Sequence, residues 1–239
     1  MSFLFFNSHR NDNKLQLLNE VDGAAKDRAV ELLIEHSSPR QSYYFMVALS
    51  VAMATLGMLS NNTAVIIGSM LIAPVLYPVL SLAMGVIIFD RDLIMRSLLT
   101  LISSVALAVF ISMLVAFIFS FQQITITTEI IKRTEPDLFN VLVALIAGLA
   151  VSFAIAKPNI NETLPGVAIS VSLVPPLAVV GIGLANLDLH ISNPALILFT
   201  INVIGIMFSA MLVFSLLNFI SKRNKVHKEV IKDERNLTY

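Results

Sequence analysis

The chain has 239 residues, 56% of them hydrophobic and 13% charged, with a mean hydropathy of +0.83, more apolar than a soluble domain of this length needs for its core. This points to a membrane protein and away from nucleic acid. The net charge of zero hides segregation, because charged residues cluster in 1–41, 90–96, 129–137 and 222–239, and the absence of cysteine excludes disulfides, thiol catalysis and Cys-type metal sites.

Taken in chain order, residues 1–41 form a polar N-terminal segment. Phe3 to Phe6 is too short an apolar patch for a signal peptide, so none is expected. Residues 13–35 put Leu15, Leu18, Val21, Ala25, Leu32 and Leu33 roughly on one side, which predicts an amphipathic helix on the cytoplasmic surface or against another subunit. A helix needs about 20 apolar residues to cross a bilayer. Six stretches qualify: 42–60, 63–89, 93–120, 138–156, 164–186 and 194–220. They divide into a first three-helix unit (42–120), an external loop (121–137) and a second three-helix unit (138–220). The charged tail, 221–239, reads as a solvated extension of the last helix, its basic start facing anionic headgroups.

Basic residues set the expected orientation. With the N-terminus in the cytoplasm, fourteen Lys and Arg fall on that side and only Lys132 and Arg133 on the other. An inner (plasma) membrane protein with both termini cytoplasmic and an even number of crossings is therefore expected.

The second and fifth stretches carry prolines at their middle, Pro74 with Pro78 and Pro175 with Pro176. Proline lacks an N–H and displaces a carbonyl of the preceding turn, and in lipid such groups need protein, water or solute as partners. Ser69, Pro74 and Leu76 fall on Ser170, Pro175 and Leu177, each 101 positions later. This match, with the Asn-x-Thr triplets that precede both segments, predicts an internal repeat. Units of three crossings must be inverted relative to each other, the arrangement of many secondary transporters, whose broken helices meet near the midplane.

The runs NNTAVIIGSMLIAPVLYPVLSLAMG and LPGVAISVSLVPPLAVVGIG, followed by FTINVIGI, resemble the signature of a prokaryotic membrane-protein family known as domain of unknown function 389, over roughly residues 40–220. The resemblance implies a shared membrane module and carries no activity with it.

No Asp, Glu, Lys, Arg or His lies well inside an apolar core, which disfavours a proton relay, a voltage sensor or hydrolytic chemistry. The four histidines have no partner at ligand spacing. No enzyme activity, cofactor or metal is expected. Candidate solute contacts are Ser69, Pro74, Pro78, Ser170, Ser172, Pro175, Pro176 and Asn202, the last an amide in an apolar run that needs a partner. Asn61, Asn62, Thr63, Asn161, Glu162 and Thr163 are candidate helix starts or gates, although capping alone explains Asn62 or Thr63.

These features predict an all-α, six-span protein that transports a small neutral or singly charged solute at its paired broken helices. Its expected partners are the lipid bilayer, a small solute or monovalent ion, and further copies of itself. The alternatives are an oligomeric ion or solute channel and a non-transporting structural or regulatory membrane protein.

Overall fold

The computed structural model describes residues 23–119, 126–157 and 173–237, and among these every regular element is helical. In chain order they are α1 (Gly23–His36), α2 (Gln41–Leu59), α3 (Thr63–Ile72), α4 (Leu76–Ile88), α5 (Arg91–Phe119), the one-turn α6 (Thr128–Ile131), α7 (Leu138–Ala156), α8 (Val174–Ala185), α9 (Leu189–Leu216), a 3-10 turn (Phe219–Lys222) and α10 (Arg223–Leu237). Helices α2, α5, α7 and α9 are each long and apolar enough to cross a membrane, and α3 with α4, bent by 49° at their junction, makes a fifth candidate if counted as one span. The start of the stretch expected at 164–186 lies outside the described residues, and α8 is its described part.

The side chains of α5 explain how the bundle closes. Ser97, Thr100, Ser104, Ala108, Ser112 and Ala116, three or four positions apart, are buried, whereas Phe110 and Phe117 are more than half exposed. Small residues inside let helices approach closely, and large apolar residues outside suit a lipid solvent rather than water. Neighbouring helices are joined through the small polar groups: Thr55 Oγ1 donates to Ser112 Oγ at 2.9 Å, and Ser112 Oγ donates to the Ala178 carbonyl at 2.6 Å. On the other side, Ser209 Oγ donates to the Leu145 carbonyl at 2.8 Å and links α9 to α7.

Among the described residues, three helix corners share one construction. At α2–α3, α4–α5 and α8–α9 a glycine (Gly57, Gly85, Gly183) is followed four positions later by a left-handed residue (Asn61, Phe89, Leu187; φ 52°, 55° and 56°) and one further on by Asn62, Asp90 or Asp188. The backbone N–H of that Asn or Asp returns to the glycine carbonyl at 2.9, 3.0 and 2.8 Å, closing the outgoing helix. Its side chain then accepts from N–H groups at the start of the incoming helix. Glycine is required because the incoming helix passes so close: a Cβ on Gly85 would lie 3.1 Å from the Ile94 nitrogen, and one on Gly183 would lie 3.0 Å from the Ser192 nitrogen.

These corners fix two faces. Helices α1 and α10 meet one another at the face where α2 and α5 begin. At the opposite face, α6 caps the α2–α3 corner, where Thr127 Oγ1 donates to the Met58 carbonyl at 2.8 Å. Lys132 and Arg133 lie on the α6 face, away from the basic residues of α10.

Two expectations need correction. The tail is not a solvated extension of the last helix. The chain turns at Asn218, left-handed at φ 55°, and α10 folds back with Val226 and Val230 fully buried, because its apolar stripe finds a partner in α1. Its early lysines pair with protein: Lys222 Nζ lies 2.7 Å from Asp27 and Lys225 Nζ 2.9 Å from Glu31, both on α1. The last long helix also starts earlier than expected, at Leu189, since Asp188 caps it and Pro194 is accommodated within it. The N-terminal amphipathic helix is described from Gly23; Ala25 and Leu33 are buried and Leu32 is half-buried, while Leu15, Leu18 and Val21 lie outside the described residues.

Candidate functional site

The first break is local in origin. A residue before proline is pushed out of the helical region, and Ala73 is extended at φ −74°, ψ 121°, ahead of Pro74. Helix α4 resumes at Leu76. Pro78 sits in its first turn, where a backbone N–H would have no partner, so only the Ala73–Val75 segment interrupts the helix. The Pro74 carbonyl accepts from the Tyr77 N–H at 3.2 Å.

A cavity of about 400 Å³ opens at this break. It is lined by Ala73, Pro74 and Tyr77 together with Glu35, Ser38 and Arg40 from the end of α1 and the joint to α2. The His36 ring lies 4.7 Å from the Tyr77 ring and ties the end of α1 to α4.

The second proline pair behaves differently. Pro175 and Pro176 both lie in the first turn of α8 and both are buried. Leu173, Val174 and Leu177 belong to the same extended apolar core as Val75, Leu76 and Val79. Ser69 is buried within α3: its hydroxyl donates to the Ile66 carbonyl at 2.6 Å, and its own carbonyl accepts from Ser50 Oγ at 2.7 Å. Asn202 is buried within α9 and is not without a partner. Ser170, Ser172, Asn161, Glu162 and Thr163 lie outside the described residues.

Asn61, Asn62 and Thr63 gather on the α6 face. Asn62 is the cap of α3, accepting from the Ala64 and Val65 N–H groups at 3.1 and 3.3 Å. Asn61 Oδ1 accepts from Thr128 Oγ1 at 2.9 Å and from the Glu129 N–H at 3.2 Å, and Thr63 Oγ1 donates to Glu129 Oε1 at 3.1 Å. Glu129, only 4% exposed, was not among the sequence candidates because it reads as a loop charge. Hydrogen bonding from Lys132 holds its carboxyl below the usual range against the effect of burial, and the Arg133 charge adds to this.

On the other face Asp233 plays the corresponding part. It accepts from Ser38 Oγ and Arg96 Nη2, and from Arg40 Nη2 at 2.6 Å. Burial alone would raise its carboxyl, but hydrogen bonds from Ser38 and Arg96 outweigh this and hold it below the usual range. Arg96, which the sequence puts merely near a helix end, is 92% buried by side chain, with Nε and Nη1 lacking a hydrogen-bond partner among the described residues.

One grouping of metal-ligand type occurs among the described residues. His227 Nδ1 lies 3.5 Å from Asp90 Oδ2 and 3.8 Å from Asp92 Oδ2, although the sequence separates these residues widely. Arg91 and Arg223 share the same cavity and oppose a cation there, and Asp90 is occupied in capping α5.

The sequence profile of a family described as "Domain of unknown function (DUF389)" matches residues 70–208, which include both proline pairs. The chain is 34% identical over 171 residues to an uncharacterized protein of Methanocaldococcus jannaschii. The match covers 71% of this chain and 52% of that protein, so the chain spans about half the length of the curated relative it matches. No solved structure matches the chain.

Proposed function

The chain belongs to the DUF389 family, and we propose that it carries a small neutral or singly charged solute across a membrane through a site at its broken helices. In this reading six crossings form two inverted three-helix repeats, with both termini cytoplasmic and Lys132 and Arg133 outside. The corner geometry supports the repeat: Gly85, Phe89, Asp90 and Ile94 at α4–α5 stand 98 positions before Gly183, Leu187, Asp188 and Ser192 at α8–α9, in the same conformation and with the same close approach. The inner membrane and an oligomeric state belong to the same proposal.

The observation that carries the transport reading is the break itself. An apolar helix pair is interrupted by three residues and bent by 49°, and a cavity large enough for a small solute opens at the interruption. Pro74 lies on its wall, and α8 begins with a second proline pair in the same buried cluster as the start of α4. Besides Glu35, His36 and Arg40 in the cavity lining, the available ligands are backbone carbonyls, hydroxyls and helix-end dipoles of about half a charge, which suits a monovalent or neutral species.

Uptake into reconstituted vesicles, screened with sodium, potassium, chloride and small neutral solutes, tests this reading. Saturable flux that Pro74→Ala reduces at least about tenfold, without loss of the folded protein, is the expected result, since an optimally placed backbone ligand contributes on that scale. Full activity in Pro74→Ala would separate the break from the transport step.

The burial of Pro175 and Pro176 within the apolar core favours a second reading, in which the breaks serve packing within a non-transporting membrane protein. Absence of flux for every solute tested, with an intact fold, is its signature. Steady single-channel conductance would instead favour a pore.

A further inference from the structure

The cavity at the first break opens sideways from the bundle, past the exposed Ser42 and past Met46 and Leu71, which are 40% and 50% exposed. One side of it therefore continues into the exposed apolar surface of α2 and α3, whereas the other side carries a carboxylate and a guanidinium, Glu35 and Arg40. The end of α3 faces the same space through Leu71 and Ile72. Pro74 has no N–H to return to the Met70 carbonyl, and the extended Ala73 takes the chain away before Val75 or Leu76 can bond to the carbonyls of Leu71 and Ile72. Among the described residues these three carbonyls accept no hydrogen bond, while that of Ser69, one position earlier, takes Ser50 Oγ. Open carbonyls at a helix C-terminus carry the negative end of its dipole, about half a charge, and attract a donor that is positively charged. In a bilayer they need a partner from outside the chain.

We propose that the break cavity holds one membrane phospholipid whose head bears a primary ammonium, of the phosphatidylethanolamine type. The ammonium gives its N–H groups to Glu35 and to the open carbonyls of α3, the phosphate meets Arg40 and the Ser42 hydroxyl, and an acyl chain leaves along Met46 and Leu71. The match is one of charge and of polarity together. A carboxylate and a guanidinium whose Nη1 lies 3.7 Å from Glu35 Oε1 form a zwitterionic mouth, which a head of opposite polarity complements and an anionic head does not. Both side chains reach solvent, Glu35 at 63% and Arg40 at 37% exposure, so neither has to leave a closed core to meet the lipid. A soluble ion would satisfy the carbonyls equally well but would leave the apolar side of the opening unused. The inference is independent of the carrier reading, because a retained lipid is measured without flux.

The full chain is reconstituted in vesicles holding equal amounts of phosphatidylethanolamine, phosphatidylcholine and phosphatidylglycerol, extracted in mild detergent, and its retained lipid is read by native mass spectrometry. Phosphatidylethanolamine should be retained over phosphatidylcholine by about tenfold, since a quaternary choline nitrogen has no N–H for a charge-assisted hydrogen bond. Glu35→Gln should bring that ratio close to one, whereas Glu135→Gln, on the exposed stretch after α6, should leave it unchanged. Arg40→Gln should lower retention of both lipids alike and keep the ratio, because both carry the phosphate. Soluble phosphoethanolamine, added in excess before extraction, should not displace the lipid. Equal retention of the three lipids, preference for phosphatidylglycerol, or an unchanged ratio in Glu35→Gln overturns the proposal. Displacement by phosphoethanolamine overturns the lipid as occupant in favour of a soluble zwitterion, and unaltered retention in a folded Arg40→Gln overturns the phosphate contact. If Arg40→Gln does not fold, Glu35→Gln decides alone, its side chain being the more exposed of the two. Selective retention with no flux for any solute would leave this inference standing and remove the carrier reading.

Discussion

Glu129 on the α6 face and Asp233 on the α1/α10 face are both buried carboxylates that fasten a peripheral helix to the bundle, yet they are assembled differently. Glu129 takes its cations from its own turn, Lys132 and Arg133, three and four positions on, and its carboxylate reaches Thr63 across the fold. Among the described residues Asp233 has no such local partner: Arg96, Arg40 and Ser38 stand 137, 193 and 195 positions away. The first is a local cluster that docks as a unit, whereas the second exists only when three separate parts of the chain have met. Breaking one partner should therefore be costlier at Asp233, which would strand Arg96 at 8% exposure, than at Glu129, where Arg133 is 15% exposed but Lys132, at 65%, can turn to water.

The largest expected effect is that of Asp233→Ala. It leaves Arg96 buried without a counter-charge, and removing one member of a buried pair costs about 3–5 kcal/mol. Thermal unfolding in detergent should register this as the greatest loss among the variants, and Arg96→Met combined with Asp233→Ala should recover part of it, because the enclosed charge is then gone. Equal stability of Asp233→Ala and the unsubstituted protein would mean that α10 does not depend on this clasp. The next effect is Glu129→Gln, expected at about 1–3 kcal/mol, the scale for disturbing buried hydrogen bonds whose other members keep some access to solvent. If its unfolding shift exceeded that of Asp233→Ala, the distinction between local and long-range assembly would fail.

The smallest expected effect is the response to pH, and it sharpens the comparison because both carboxyls are shifted in the same direction. A carboxyl more acidic in the folded than in the unfolded state contributes stability that is fully present above its unfolded value and lost as pH falls through the folded one. Both shifts are downward from ordinary values of 3.8 for Asp233 and 4.5 for Glu129. Melting temperature should accordingly change little through neutral pH on their account and decline only in the acid range below those values. Asp233→Asn and Glu129→Gln should each flatten part of that acid decline, and an unaltered acid limb in both variants would remove the two carboxylates from the account of stability.

The first break, the long helices and the Asn62 cap were legible in the sequence because each depends on a few neighbouring residues. Pro74 dictates the backbone of Ala73, apolar runs dictate helices in lipid, and Asn62 needs only the N–H groups two and three positions on. A further signal of the same kind was present and unread: a glycine five positions before Asn or Asp marks the corners at Gly57, Gly85 and Gly183. Helix α10 was misread for the opposite reason. Its dense charges resemble a solvated face, and Val226 and Val230 become a core stripe only once α1 lies opposite them.

What the sequence determined by itself was an all-helical, strongly apolar chain with a proline interruption at Pro74, since hydropathy and proline stereochemistry act over one or two turns. Only the tertiary structure decided that Arg96 and Asp233 enclose one another, that Arg40 lines two cavities, and that Glu129 reaches the start of α3. Each of those depends on the distance between residues far apart in the chain. Electrostatic and hydrogen-bond energies fall away within a few ångströms, so no pattern along the sequence reveals them until packing has set those distances.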